Sequence, residues 1–112
     1  MAALTAVQPT RAGVATPGAA VAASDTIAST LLGVNGAYLE ILNGNASPDN
    51  MTISDASITP TGAAAASNAP TVTNGTNKVF HVSPKQADPV TGLVTVTHSV
   101  TTTVTYKLYP LG

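Results

Sequence analysis

The longest regular pattern in the chain is an alternation over residues 93–109. Val94, Val96, His98, Val100, Thr102, Val104, Tyr106 and Leu108 hold the even positions, and Thr95, Thr97, Ser99, Thr101, Thr103, Thr105, Lys107 and Tyr109 the odd ones. Period-two alternation of β-branched and aromatic residues is the signature of a sheet with one dry face and one wet face. One straight strand of that length would span roughly 55 Å, whereas a compact chain of this size is about 35 Å across. The run therefore folds back or projects as an arm. A two-residue hairpin loop exchanges odd for even on one face, and a three-residue loop keeps parity. Apolar residues stay even on both sides of residues 99–101, which favours an odd-length loop there or a strand that bends without reversing.

Shorter alternations precede this run. Leu4, Ala6 and Gln8 fit an edge strand ending at Pro9, and residues 1–24 read as that strand plus a loop, or as an extended arm. Residues 19–23 suit a turn of helix. Ile27, Leu31 and Leu32 suit a short helix capped by Ser24 or Asp25, or an irregular approach to the next strand. Residues 37–42 form a strand opened by Asn35-Gly36 and closed by Asn43-Gly44-Asn45. Ser47-Pro48-Asp49-Asn50 reads as a turn, with residues 51–54 as an adjacent strand after a short connection. Residues 55–70 read as surface loop with a brief strand at Ile58. Asn74-Gly75 between residues 71–73 and 76–82 is a hairpin signal. The expected architecture is all-β, a single antiparallel β-sandwich, immunoglobulin-like or jelly-roll-like. An N-terminal segment of residues 1–24 leads into a sandwich domain of residues 25–112. The expected core is Leu39, Ile41, Phe80, Val82, Val94, Val96, Val104 and Tyr106.

Composition narrows the functional classes. The 112 residues suit one domain, and there is no cysteine, which removes disulfides, thiolate metal sites and cysteine nucleophiles. Only 8% of residues are charged, with a net charge of −1. Arg11, Lys78, Lys85 and Lys107 are too few to neutralise a run of phosphates, so nucleic acid is not an expected partner. A surface so poor in charge suits contact with other copies or with a larger assembly. The opening residues lack a basic leader, and no stretch is long and apolar enough to span a bilayer.

Candidate chemistry is sparse. His81 and His98 lie in alternating strands, where satisfied strand histidines are commoner than metal ligands. Glu40 is the only glutamate, and a lone carboxylate makes no acid–base pair. Asp49 and Asp55 lack EF-hand spacing, and no Gly-x-Ser-x-Gly occurs. Asn45-Ala46-Ser47, Asn50-Met51-Thr52 and Asn74-Gly75-Thr76 match the glycosylation tripeptide and read better as turns. The residues alone point to a binding or structural module, with no enzyme activity, cofactor or metal expected.

Several stretches, in order, resemble the small head decoration or minor capsid proteins of tailed bacteriophages that infect actinobacteria. They are Leu4-Thr5, then Thr10-Arg11-Ala12-Gly13-Val14, then residues 35–44 with their aromatic-apolar strand and Asn-Gly exit. Residues 92–99, with their Val-Thr-Val-Thr ending, and Val104 complete the match. The chain departs from the family at His98, where an aromatic is usual, in a longer Ala-rich loop at residues 59–69, and in a bulkier tail at residues 106–110. The resemblance implies a sandwich on the outer capsid surface of the virion, bound to the major capsid protein. It also implies a homo-oligomer, with a trimer as the first expectation, and no catalytic residues. Residues 1–24 and 107–112 are the expected contact segments, with Arg11, Lys107 and Tyr109 as contact residues. A receptor- or carbohydrate-binding module of a phage tail is the alternative.

Overall fold

The long alternation breaks in two. In a computed structural model of the chain, which describes residues 2–8, 10–15, 18–56, 61–62 and 68–111, it forms β9 (Leu93–Thr97) and β10 (Val104–Pro110). The reversal between them uses no glycine. Thr103 takes φ 59°, and Val104 N donates to Thr101 O at 3.2 Å. The two strands are not a hairpin, because they belong to different sheets. Each turns its even residues towards the other sheet, so parity is kept by the two-layer packing and not by loop length. The expected strand end at Pro9, the brief strand at Ile58 and the Ala-rich run at residues 63–66 lie outside the described residues.

The other strands are β1 (Ala2–Ala3), β2 (Ala19–Ala20), β3 (Ser24–Ala28), β4 (Ala37–Asn43), β5 (Asp49–Asn50), β6 (Thr52–Ile53), β7 (Thr71–Val72) and β8 (Asn77–Val82). The first sheet has the order β1-β3-β9-β6 and the second β2-β10-β4-β8, while β5 and β7 pair as a small ribbon. The inner faces share one core. Ile27, Ile53, Val94 and Val96 come from the first sheet, and Leu39, Ile41, Val82, Val104, Tyr106 and Leu108 from the second. This is the all-β sandwich that the alternation predicts. Of the expected core residues only Phe80 is half-buried, because its strand β8 is the margin of the second sheet.

Among the described strands no two that follow each other in sequence are neighbours in a sheet. That corrects two expectations. Residues 51–54 do not lie beside residues 37–42, since β6 pairs with β9 and β4 with β8 and β10. Residues 71–82 are not a hairpin, since β7 pairs with β5 and β8 with β4. Asn74-Gly75 does turn the chain, with Gly75 at φ 75° and Gly75 N donating to Asn43 O at 2.8 Å. That turn leads from the ribbon into the second sheet. Immunoglobulin order keeps several consecutive strands side by side, so this connectivity is not immunoglobulin-like.

Local expectations shift for the same reason. Residues 19–20 are strand, because the margin of β10 offers them pairing partners. Ser24 and Asp25 are strand residues and not caps. Ile27 faces the core opposite Val94, and the helix is reduced to α1 (Ser29–Leu32), which has no side-chain cap. Asp49-Asn50 is strand and not turn. At the N-terminus, β1 pairs in parallel with β3, an exception to the antiparallel rule. Leu4 then enters the core at 5% exposure, so residues 2–7 are part of the sandwich.

Candidate functional site

Two groups of residues carry chemistry, one sealed and one open. The sealed group is built on β5. Asp49 and the His98 side chain are essentially solvent-free. His98 continues the inward parity of Val94 and Val96 just beyond β9, and its Nδ1–H donates to Asp49 Oδ2 at 2.7 Å. An ionised carboxylate only accepts, which fixes the direction of that bond. Asp49 Oδ1 accepts from Ser99 N at 3.0 Å and, at 3.5 Å, from Val100 N. Alongside, Asn50 N donates to Ser99 Oγ at 2.8 Å. The Asp–His geometry resembles half of a nucleophilic triad, yet a side chain 1% exposed cannot meet a substrate. The pair acts as a staple that holds the β9–β10 crossing onto the ribbon.

Sequence reasoning missed this pair by reading Asp49 as a turn residue. The signal present was a histidine on the dry parity of a strand, which needs a buried partner. Asn43 is a second buried anchor. Its Nδ2 donates to Ser47 O and Val72 O, both at 3.0 Å, and its Oδ1 accepts from Asn45 N at 2.9 Å. Asp25, 1% exposed, accepts from Ala22 N at 3.0 Å through Oδ2, while its Oδ1 has no hydrogen-bond partner among the described residues. Those residues also contain no group of three or more His, Asp or Glu side chains placed to hold a metal ion.

The open group is the outer face of the second sheet. The register of β8, β4 and β10 sets three rows across it: His81–Tyr38–Tyr109, Val79–Glu40–Lys107 and Asn77–Leu42–Thr105. Cross-strand partners in such rows touch and fix one another. Tyr38 meets the His81 ring edge-on, with centroids 5.9 Å apart, and His81 Nε2 lies 2.9 Å from Asn35 O. Asn77 Nδ2 donates to Glu40 Oε2 at 2.7 Å. Tyr38 is 45% exposed and Val79 58%. The face therefore presents held aromatic and apolar groups around one acid and one base.

Two of the expected contact residues, Lys107 and Tyr109, belong to this face. Arg11 does not. It sits on an exposed turn over residues 10–13, closed by Gly13 N donating to Thr10 O at 3.0 Å. Tyr106, on the opposite parity, is buried with its hydroxyl towards Thr5. A groove of about 370 Å³ lies over the outer face of the first sheet, lined by Thr26, Ser54, Asp88, Leu93 and Thr95. No family model matches the chain, and neither a curated protein nor a solved structure matches it. The functional reading thus rests on the residues and their geometry.

Proposed function

We propose that the chain is a virion structural protein that attaches to the outside of a major-capsid lattice and reinforces it, without catalysis. The observation that carries this reading is the outer face of the second sheet. There Tyr38, Tyr109, His81 and Val79 stand together on one sheet face, with the Tyr38 and His81 rings fixed against each other, while the Asp–His chemistry is sealed inside. Exposed Tyr with little charge is the composition of a protein-binding surface, and held side chains lose little entropy on docking. The ordered resemblance to phage head proteins and the charge-poor surface support a capsid as the partner. Many weak contacts become stabilising when neighbouring copies bind one shell, because each adds its contact at high effective concentration. Lys107 and Tyr109 act within this face, and Arg11 forms a separate contact from the exposed turn.

The test is to add purified protein to undecorated capsids and measure bound copies and particle melting. Saturable binding with a raised melting temperature is expected, weakened by Tyr38→Ala with Tyr109→Ala. Absence of saturable binding sinks the reading. The alternative, a receptor- or carbohydrate-binding tail module, is favoured by one observation, that Tyr38 and Tyr109 are direct neighbours on an open face and form a surface on which a sugar ring could stack. Binding to glycan arrays or host-cell envelopes, with no binding to capsids, would select it.

A further inference from the structure

The N-terminal segment closes the sandwich like a clip. Residues 2–3 pair with β3, and Leu4 N donates to Thr26 O at 2.8 Å, on the margin of the first sheet. Thr5 N donates to the Tyr106 hydroxyl at 3.0 Å. Val7 N then donates to Leu108 O at 2.8 Å, on the margin of the second sheet. Leu4 fills the core between these contacts. The chain next returns to the same margin, where β2 places Ala19 opposite Tyr106.

That return is longer than it has to be. Eleven residues, 8–18, separate Val7 at Leu108 from Ala19 at Tyr106, two positions along one strand. Two strand positions cover only about 7 Å, whereas eleven extended residues reach roughly 36 Å. The molecule itself measures 41 × 36 × 21 Å. The described residues 10–15 are all exposed, and their hydrogen bonds are the local ones between Thr10 and Gly13. An apolar groove of about 200 Å³ between Val7, Ala19 and Leu108 leaves the clip loosely packed on one side. The margin at β8 is a poorer place for copies to join, because Lys78 shares the inner side with Ile41 there and an inward charge blunts strand addition.

We infer that the slot formed by the β3 margin, the Tyr106 hydroxyl and Leu108 O accepts residues 2–7 of a second copy, so that neighbouring chains exchange clips. The donated segment makes the same hydrogen bonds and buries the same leucine in its new host, so exchange needs only a linker of eleven residues and proximity. It requires no capsid and goes beyond the attachment reading.

The absence of cysteine gives a direct test with no capsid present. Ala3 and Thr26 are register partners on adjacent strands, within the reach of a disulfide. A chain carrying both Ala3→Cys and Thr26→Cys, oxidised at high dilution, is expected to close on itself. Failure to close means that the clip is not seated in this slot and overturns the inference. Chains carrying only Ala3→Cys and only Thr26→Cys are then mixed, incubated at high concentration, and also co-refolded from denaturant before oxidation. The expected product is the mixed dimer, in excess over like-with-like dimers. Like-with-like dimers or monomers alone after co-refolding refute the exchange.

Discussion

Replacing Asp49 by alanine tests the sealed pair. The carboxylate accepts from His98 Nδ1 at 2.7 Å and Ser99 N at 3.0 Å, with a longer contact to Val100 N. Hydrogen bonds to a charged group contribute roughly 1.5–3 kcal/mol each, and a buried donor left unsatisfied costs about 1–3 kcal/mol. With no exposed surface on either partner to admit screening water, Asp49→Ala is expected to cost about 3–5 kcal/mol. That is a large share of the roughly 5–15 kcal/mol that holds a domain together, and it corresponds to a melting drop of about 12 °C or more. Asp49→Asn provides the contrast. Its amide oxygen still accepts from Ser99 N, and its NH₂ donates to Nδ1 of the other histidine tautomer, so less than half the loss is expected. Adding His98→Phe completes a double-mutant cycle with a coupling of about 1–3 kcal/mol. Chemical denaturation followed by circular dichroism measures all three. An Asp49→Ala protein within about 1 kcal/mol of wild type, or a coupling near zero, would refute the staple.

Val96→Asp places a carboxylate in the core beside Asp25, its register partner. An unpaired buried charge should leave the chain unfolded, read as loss of a cooperative melt. Gly36 has φ 85°, and a Cβ there would lie 2.2 Å from Val82 O. Gly36→Ala should therefore lower stability by more than the ~1 kcal/mol of an ordinary backbone penalty, measured by urea titration. Asp25→Ser keeps an acceptor for Ala22 N and removes the carboxylate oxygen that has no partner among the described residues. It should raise stability by about 1 kcal/mol, and an unchanged or lowered urea midpoint would contradict that account.

The dry and wet faces were legible because strand parity is a local property. Seven of the eight expected core residues are buried, and Lys107 and Tyr109 fall on the outer face by the same parity. Strand partners were not legible. Asn74-Gly75 is a turn whether it joins neighbours in one sheet or carries the chain to another, and nothing local to it tells the two apart. The same holds for residues 99–103, where parity is satisfied equally by a hairpin and by a crossing between facing sheets. The sealed pair was hidden because Asp49 and His98 are 49 residues apart, and a contact at that range follows only from the topology. The outer face assembles from β8, β4 and β10, so its rows needed the register before they existed as a surface.

The crossings also account for where the buried polar residues stand. A hairpin satisfies its own backbone groups between its two strands; a crossing leaves N–H and C=O groups near the core in need of partners. Asp25 bonds the backbone where the chain enters β3, Asn43 where it leaves β4, and Asp49 where it passes from β9 towards β10. Each stands among inward-facing positions, and each bonds main chain close to a place where the chain changes sheet. Polar residues inside this small core thus substitute for the turns that the topology omits. The outer faces are free of that duty, and on one of them the register alone brings Tyr38, Tyr109 and His81 side by side.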